Sequence, residues 1–122
     1  MEDKLIFIID DDIVQNEIHT ILLNKVFPDT HIISFNSAEK ALKVLQEQNP
    51  KYIFLDLNMP NDGNSVLLDA HLKLKLNSEI YLMSSTPYLD DSSVFSKYPA
   101  VKDFIAKPLL AHKLKNILNE FV

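Results

Sequence analysis

The chain reads as an α/β protein built on a five-stranded parallel sheet, and three features lead there. Four short apolar runs, residues 5–9, 52–55, 80–83 and 104–106, lack the polar alternation of half-exposed strands and so read as strands buried on both faces. Segments of helical period separate them, the repeat of strand and helix that builds parallel sheets. Each run also stops on a residue able to bind metal or phosphate: Asp10 with Asp11, then Asp56, Ser84 and Lys107. Ligands in open α/β sheets lie outside the carboxyl ends of the strands, so these groups are expected to converge on one pocket.

Taken in order, the first strand is expected over residues 5–10. A helix over residues 13–27 follows, with Val14, Ile18, Ile21, Leu22 and Val26 on its inner face and Gln15, Asn16 and His19 opposite. An aspartate just before it suits a helix N-terminus, and Pro28 and Asp29 end it. The second strand spans residues 31–35. Ser37 caps a helix over residues 38–48 whose buried face is Ala38, Ala41, Leu42 and Leu45, and Asn49 and Pro50 break it. The third strand, residues 52–56, runs into a polar loop at 58–64 and a helix over 65–76. The fourth strand spans residues 80–84. Between Pro87 and Pro99 only Leu89, Val94, Phe95 and Tyr98 are clearly apolar, which allows one short helix. The last strand, residues 103–106, leads through Lys107 and Pro108, a turn or cis-peptide candidate, into a helix with Leu110, Leu114, Ile117, Leu118 and Phe121 facing inward. Five strands and five helices with right-handed crossovers correspond to the flavodoxin-like order 2-1-3-4-5, with the pocket where strands 1 and 3 part.

Composition narrows the chemistry. The 122 residues are expected to form one domain, 1–122, large enough for a single core. With no cysteine, thiolate metal sites and cysteine nucleophiles are excluded. The net charge of −5 and the scattering of the 12 basic residues argue against direct nucleic-acid binding. No apolar run approaches the ~18 residues of a membrane span, and the first residues do not form a signal peptide, so a cytoplasmic location is expected. Gly63 is the single glycine, so a glycine-rich phosphate loop cannot exist, and any phosphate must be held by side chains and a metal.

Three carboxylates brought together repel, by about 4 kcal/mol per pair at ~4 Å and an effective dielectric near 20. A divalent cation removes that repulsion, and oxygen donors of this kind suit Mg²⁺. Asp11 and Asp56 are the expected direct ligands, with Asp10 acting indirectly, through a water or through another ligand, and the backbone carbonyl of Asn58 as the third protein ligand. Asp56 is then placed to attack phosphorus, while Lys107 and Ser84 grip the oxygens of the moving group. Each residue also has a plainer reading. The acidic run at 10–12 suits a solvated helix cap, Ser84 a satisfied hydroxyl at a strand end, and Lys107 a solvent-facing lysine. His19, His31, His71 and His112 share no ligand spacing and are expected at or near the surface.

The motifs Ile8-Ile9-Asp10-Asp11-Asp12, Phe54-Leu55-Asp56-Leu57-Asn58-Met59-Pro60 with Asp62-Gly63, Leu82-Met83-Ser84-Ser85 and Phe104-Ile105-Ala106-Lys107-Pro108 together resemble a receiver domain of two-component response regulators, over nearly the whole chain from Lys4 to Leu118. The resemblance implies that Asp56 accepts a phosphoryl group from a phosphohistidine of a histidine kinase or histidine phosphotransfer protein. It implies a Mg²⁺ site at Asp10, Asp11, Asp56 and the Asn58 carbonyl, phosphate sensing by Ser84 and Lys107, and a switch at Phe104. Phe104 stands where the family commonly has tyrosine, which favours the inward state because no phenol needs a partner. The surface of helix 4, strand 5 and helix 5 would then meet a downstream protein. The exposed side of the first helix, near Ile13, Gln15, Asn16, His19 and Leu23, resembles the place where receivers meet their donors.

Two departures from the family pattern touch the output side: a loop from Asp56 to Gly63 one residue shorter than usual, and a 86–98 segment without the usual alanine-rich helix or the glycine that precedes the last strand. With no further domain in the sequence read, the signal is expected to leave through binding to another protein, as a monomer or weak dimer. A phosphatase with an aspartate nucleophile is the rival reading, but such enzymes carry the nucleophile after the first strand with a second aspartate two residues on, where Asn58 stands here. A flavin carrier of the same fold lacks its phosphate loops and a stacking tryptophan.

Overall fold

A computed structural model describes residues 2–85 and 93–117. Its elements are β1 (Glu2–Ile9), α1 (Ile13–Val26), β2 (His31–Phe35), α2 (Ala38–Leu45), β3 (Pro50–Asp56), a 3-10 turn (Pro60–Asp62), α3 (Gly63–Lys73), β4 (Glu79–Ser84), α4 (Ser93–Lys97), β5 (Val101–Ala106) and α5 (Ala111–Ile117). The strands pair in parallel in the order β2-β1-β3-β4-β5, the flavodoxin-like arrangement expected from the alternation of strands and helices. Residues 86–92 of the expected fourth helix, and Leu118 and Phe121 of the last, lie outside the described residues.

The two-residue alternation of each strand divides the core. Ile6, Ile8, Tyr52, Phe54, Tyr81, Met83 and Ile105 pack with Leu23 and Phe27 from the first helical segment and Leu114 of α5. Leu5, Phe7, Ile9, Ile53, Leu55, Ile80 and Leu82 pack on the opposite face with Ala38, Ala41 and Leu45 of α2 and Leu67 and Leu68 of α3. Both faces are covered, which is why the strands read as unbroken apolar runs rather than as alternating ones. Gly63 lets α3 start close against its neighbours, since a Cβ there would lie 3.3 Å from Met59 Cβ and 3.4 Å from Ala38 Cβ.

Several boundaries differ from the sequence reading. β3 starts at Pro50, where a missing N–H is tolerated at a strand end and where the Pro50 carbonyl accepts from Ser78 Oγ at 2.6 Å. β5 starts at Val101, just after the Ile80 N–H donates to the Ala100 carbonyl at 2.8 Å. α3 begins at Gly63 because the 3-10 turn leads into it through Asp62, whose φ of 54° turns the chain sharply.

The larger correction concerns α1. Its inner face is Asn16, His19 and Leu23, whereas Val14, Ile18 and Ile21 are 63%, 52% and 66% exposed, as is Ile13 at 61%. Leu22 and Val26 pack at the edge of the core. The helix is thus rotated from the phase its apolar residues suggest. The cause is specific pairing: Asn16 Nδ2 donates to the carbonyls of Asp10 at 2.7 Å and Phe35 at 2.9 Å, and His19 Nε2 accepts from the Leu109 N–H at 3.2 Å. Paired in this way, polar side chains hold buried positions that an apolar count assigns elsewhere. Of the five residues expected on its exposed side, only Ile13 is fully exposed; Gln15 is half-buried and the other three are buried. His71 is buried too, and Leu110 is 40% exposed rather than inward-facing.

The rotated helix yields a stability test. Leu23→Ala is expected to destabilise by about 2–5 kcal/mol and Ile21→Ala by under ~0.5 kcal/mol in chemical denaturation; equal losses would restore the phase expected from the apolar residues.

Candidate functional site

β1 and β3 are neighbours, and each ends on an aspartate. Ile6, Ile8 and Asp10 share one face of β1, and Tyr52, Phe54 and Asp56 share the same face of β3, so the apolar register carries both carboxylates to the carboxyl edge on the α1 and α5 side. Asp10 is fully buried and Asp56 is 2% exposed, while Asp11 is exposed. Asp12 caps α1, its Oδ1 accepting from the N–H groups of Val14 at 3.0 Å and Gln15 at 3.2 Å. The acidic run is therefore divided, with its third member serving the helix and the first two facing the sheet edge.

Lys107 follows β5 and reaches back across the sheet. Its ammonium lies 2.7 Å from Asp10 Oδ2 and 3.2 Å from Asp56 Oδ1. The backbone holds it there, since the Lys107 N–H donates to the Ser84 carbonyl at 2.7 Å; the Lys107–Pro108 peptide that follows is cis. Burial draws the ammonium pKa down, but the hydrogen bond to Asp10 and the charge of Asp56 outweigh it, so the net shift is upward. The remaining contacts are local: the other oxygen of Asp10, Oδ1, accepts from the Asp12 N–H at 2.9 Å, and Asp56 Oδ1, the oxygen that faces Lys107, also accepts from the Asn58 N–H at 3.1 Å.

Asp10, Asp11 and Asp56 each offer a carboxylate oxygen, all within 4.8 Å of one another. Three carboxylates against one ammonium leave an excess of negative charge in a largely buried place. All of the donors are hard oxygens, so the residues fit a divalent cation of the magnesium type. Asn58 sits exposed at the start of the following loop. Ser84 ends β4 buried, on the opposite face register from Asp56, and Phe104 lies on that same side, half-buried, with its ring against Phe95 at 5.4 Å and 83°. Thus Asp10, Asp56 and Lys107 meet directly, whereas Ser84 and Phe104 border them from the other face of the sheet.

Two residues that the sequence reading put on the outer, donor-facing side of the first helix, Asn16 and His19, instead hold the backbone around this cluster. Their spacing with Leu23, at i, i+3 and i+7, places all three on one helical stripe, a signal visible only when polar residues are admitted to the inner face. Among the described residues, no helix is long and apolar enough to cross a membrane.

Residues 6–119 match the family model described as response regulator receiver domain. The chain is 26% identical over 120 residues to the probable C4-dicarboxylate response regulator DctR of Bacillus subtilis, covering 98% of this chain and 52% of that protein. It spans about half the length of the curated relatives it matches. Among solved structures, a two-component response regulator from Cytophaga hutchinsonii superposes with a TM-score of 0.83 at 26% identity, over 99% of this chain and 98% of the other. The response regulator protein TrrA of Thermotoga maritima, solved in complex with Mg²⁺ and BeF, shares the fold with a TM-score of 0.79 at 22% identity, over 98% and 99% of the two chains. With the family model spanning almost the entire sheet and its helices, the chain belongs to the response regulator receiver domains of two-component systems, a family whose role is phosphorylation-dependent signalling.

Proposed function

We propose that Asp56 accepts a phosphoryl group from a phosphohistidine of a histidine kinase or histidine phosphotransfer protein, and that this charge event changes the surface of α4, β5 and α5 read by a downstream protein. The observation that carries this reading is the Lys107 ammonium held against both Asp10 and Asp56 beside a third carboxylate. Such an arrangement positions one anion acceptor, a cation to neutralise the incoming group and donors for a metal, which is what phosphoryl transfer requires.

In the step proposed, an oxygen of Asp56 bonds to phosphorus as the phosphorus–nitrogen bond to the donor imidazole breaks, and that bond's electron pair stays on the nitrogen. Among the described residues, both polar contacts of Asp56 fall on Oδ1, which leaves Oδ2 for the attack. Lys107 moves its ammonium from the carboxylates to a phosphoryl oxygen, and the Ser84 hydroxyl donates to another. Asp10, Asp11, Asp56 and the Asn58 carbonyl would hold Mg²⁺, which supplies charge neutralisation at the transferring group.

Aspartyl phosphate adds negative charge and acceptor oxygens at the sheet edge. Ser84 is the group able to carry that change across to the Phe104 side. A cavity of about 330 Å³, bounded by Leu57, Asn58, Leu68, Leu82, Val94 and Phe104, gives the Phe104 ring space to turn inward away from Phe95. The two arrangements would differ in what α4 presents, a two-state surface biased by a local charge.

Ile13, Val14, Ile18 and Ile21 form an exposed apolar face directly after the acidic run. That face supports a donor docking beside Asp56, and of the residues the resemblance suggested it keeps Ile13. A row of exposed aliphatic side chains on one helix fits the apolar side of a partner helix bundle.

Three outcomes are expected. Intact-mass analysis after incubation with Mg²⁺ and a small phosphodonor should show one added phosphoryl group on the parent chain and none on Asp56→Asn; equal modification of both would remove the assignment. Lys107→Ala should retain Mg²⁺ binding, yet beryllofluoride should no longer shift the Phe104 amide in heteronuclear spectra, and an unchanged shift would deny Lys107 its sensing role. Ile18→Glu with Ile21→Glu should slow transfer from a phosphohistidine protein by roughly tenfold or more and leave uptake from the small phosphodonor unaltered; parallel losses in both assays would argue against a docking face.

A further inference from the structure

We infer that His19 is a positioning residue for Lys107: through its hydrogen bond to the Leu109 amide it fixes the backbone from which the ammonium reaches the acceptor site, and so sets anion affinity there. This inference rests on the receiver reading of Asp56 and Lys107 and assigns a role to a residue that the site itself does not contain.

His19 is completely buried in the middle of α1, on the inner stripe it shares with Asn16 and Leu23. Its Nε2 accepts from the Leu109 N–H at 3.2 Å, a contact that spans 90 residues of sequence. Burial holds its pKa below the usual value, so the ring is neutral and the accepting nitrogen is free of a proton. The proton then belongs on Nδ1, which is buried without a hydrogen-bond partner among the described residues. An unpaired buried donor is unfavourable. A leucine in its place would carry no donor to leave unpaired. It would, however, strip the buried Leu109 amide of its acceptor.

The loop between β5 and α5 has few other ties. Lys107 N–H donates to the Ser84 carbonyl at 2.7 Å, and Pro108 has no N–H to offer. His19 therefore holds the loop on one side of Lys107 while Ser84 holds it on the other. Asn16, one turn earlier on the same inner stripe, ties the Asp10 carbonyl at 2.7 Å and the Phe35 carbonyl at 2.9 Å. One rigid helix thus spaces the aspartate end of β1 from the lysine loop.

The sign of the effect separates positioning from simple destabilisation. The Lys107 ammonium and a divalent cation compete for the oxygens of Asp10 and Asp56. Loosening the loop weakens the lysine's hold, which leaves Mg²⁺ binding unchanged or tighter. The same loosening weakens the grip on a phosphoryl group, because the ammonium must be ordered to reach it. A merely structural residue would weaken both.

The test uses the full chain, isotopically labelled, with Mg²⁺ alone and then beryllofluoride at saturating Mg²⁺. His19→Leu should bind Mg²⁺ at least as tightly as the parent, but beryllofluoride about threefold to tenfold more weakly, the range expected for one hydrogen bond. His19→Gln, whose amide oxygen can accept from the Leu109 N–H, should stay within about twofold of the parent. In the parent itself, the imidazole nitrogen shifts should report a proton on Nδ1 and an accepting Nε2, a measurement that needs no variant to fold. The inference is overturned if His19→Leu matches the parent toward beryllofluoride, if it loses Mg²⁺ in equal proportion, if His19→Gln falls as far as His19→Leu, or if the proton is found on Nε2. A parent chain that takes up no beryllofluoride at Asp56 would remove the receiver reading first, and this role with it.

Discussion

The Lys107 ammonium between Asp10 and Asp56 is the interaction on which the site depends. Two carboxylates at the closed end of a parallel sheet, one fully buried and one nearly so, are strongly unfavourable unless countercharge is supplied. The lysine supplies part of it from a strand three positions away in the sheet order. Asp11 restores the excess of negative charge from the exposed side. The result is a partly neutralised cluster whose hard oxygen donors fit a divalent cation. Electrostatic frustration of this kind is what allows a small chemical event to shift a larger equilibrium.

α1 joins two demands in one element. Its inner stripe is polar where a core helix is usually apolar, because Asn16 and His19 answer backbone groups at the carboxyl ends of β1 and β2 and in the loop after β5. Its outer stripe is apolar where a surface helix is usually polar, with Ile13, Val14, Ile18 and Ile21 exposed. Hydrophobic burial favours the opposite rotation. The inner polar stripe resists it through three hydrogen bonds to buried backbone groups, which would lose their partners on rotation. A helix held in this phase leaves an apolar face exposed next to the very carboxylates it positions.

The alternation of the strands separates the charged cluster from the Phe104 side of the sheet. Asp10, Asp56 and Lys107 continue the register of the face covered by α1 and α5, whereas Ser84 and Phe104 continue that covered by α2, α3 and α4. Ser84 is thus the side chain at the edge between the two. On the far side, Phe104 meets Phe95 of α4, and Tyr98 just beyond α4 donates to the Asp69 carboxylate of α3, which pushes the phenol pKa upward. Among the described residues α4 is short, and Phe95 gives it an aromatic contact with β5.

The sequence by itself determined the sheet, its strand order and the strand ends that carry Asp10, Asp56, Ser84 and Lys107. Doubly buried parallel strands write themselves as unbroken apolar runs, and a run must stop where the chain leaves the sheet. It also marked α2, whose Ser37 cap and Ala38, Ala41 and Leu45 stripe agree on one phase. Only the tertiary structure decided the phase of α1, the burial of His19 and His71, the exposure of Leu110 and the contact of Lys107 with both aspartates. Periodicity counts side chains and is blind to partners. Whether Asn16 or His19 faces inward depends on a carbonyl or an amide supplied by chain up to 90 residues away, and such long-range pairing exists only once the strands have been assembled.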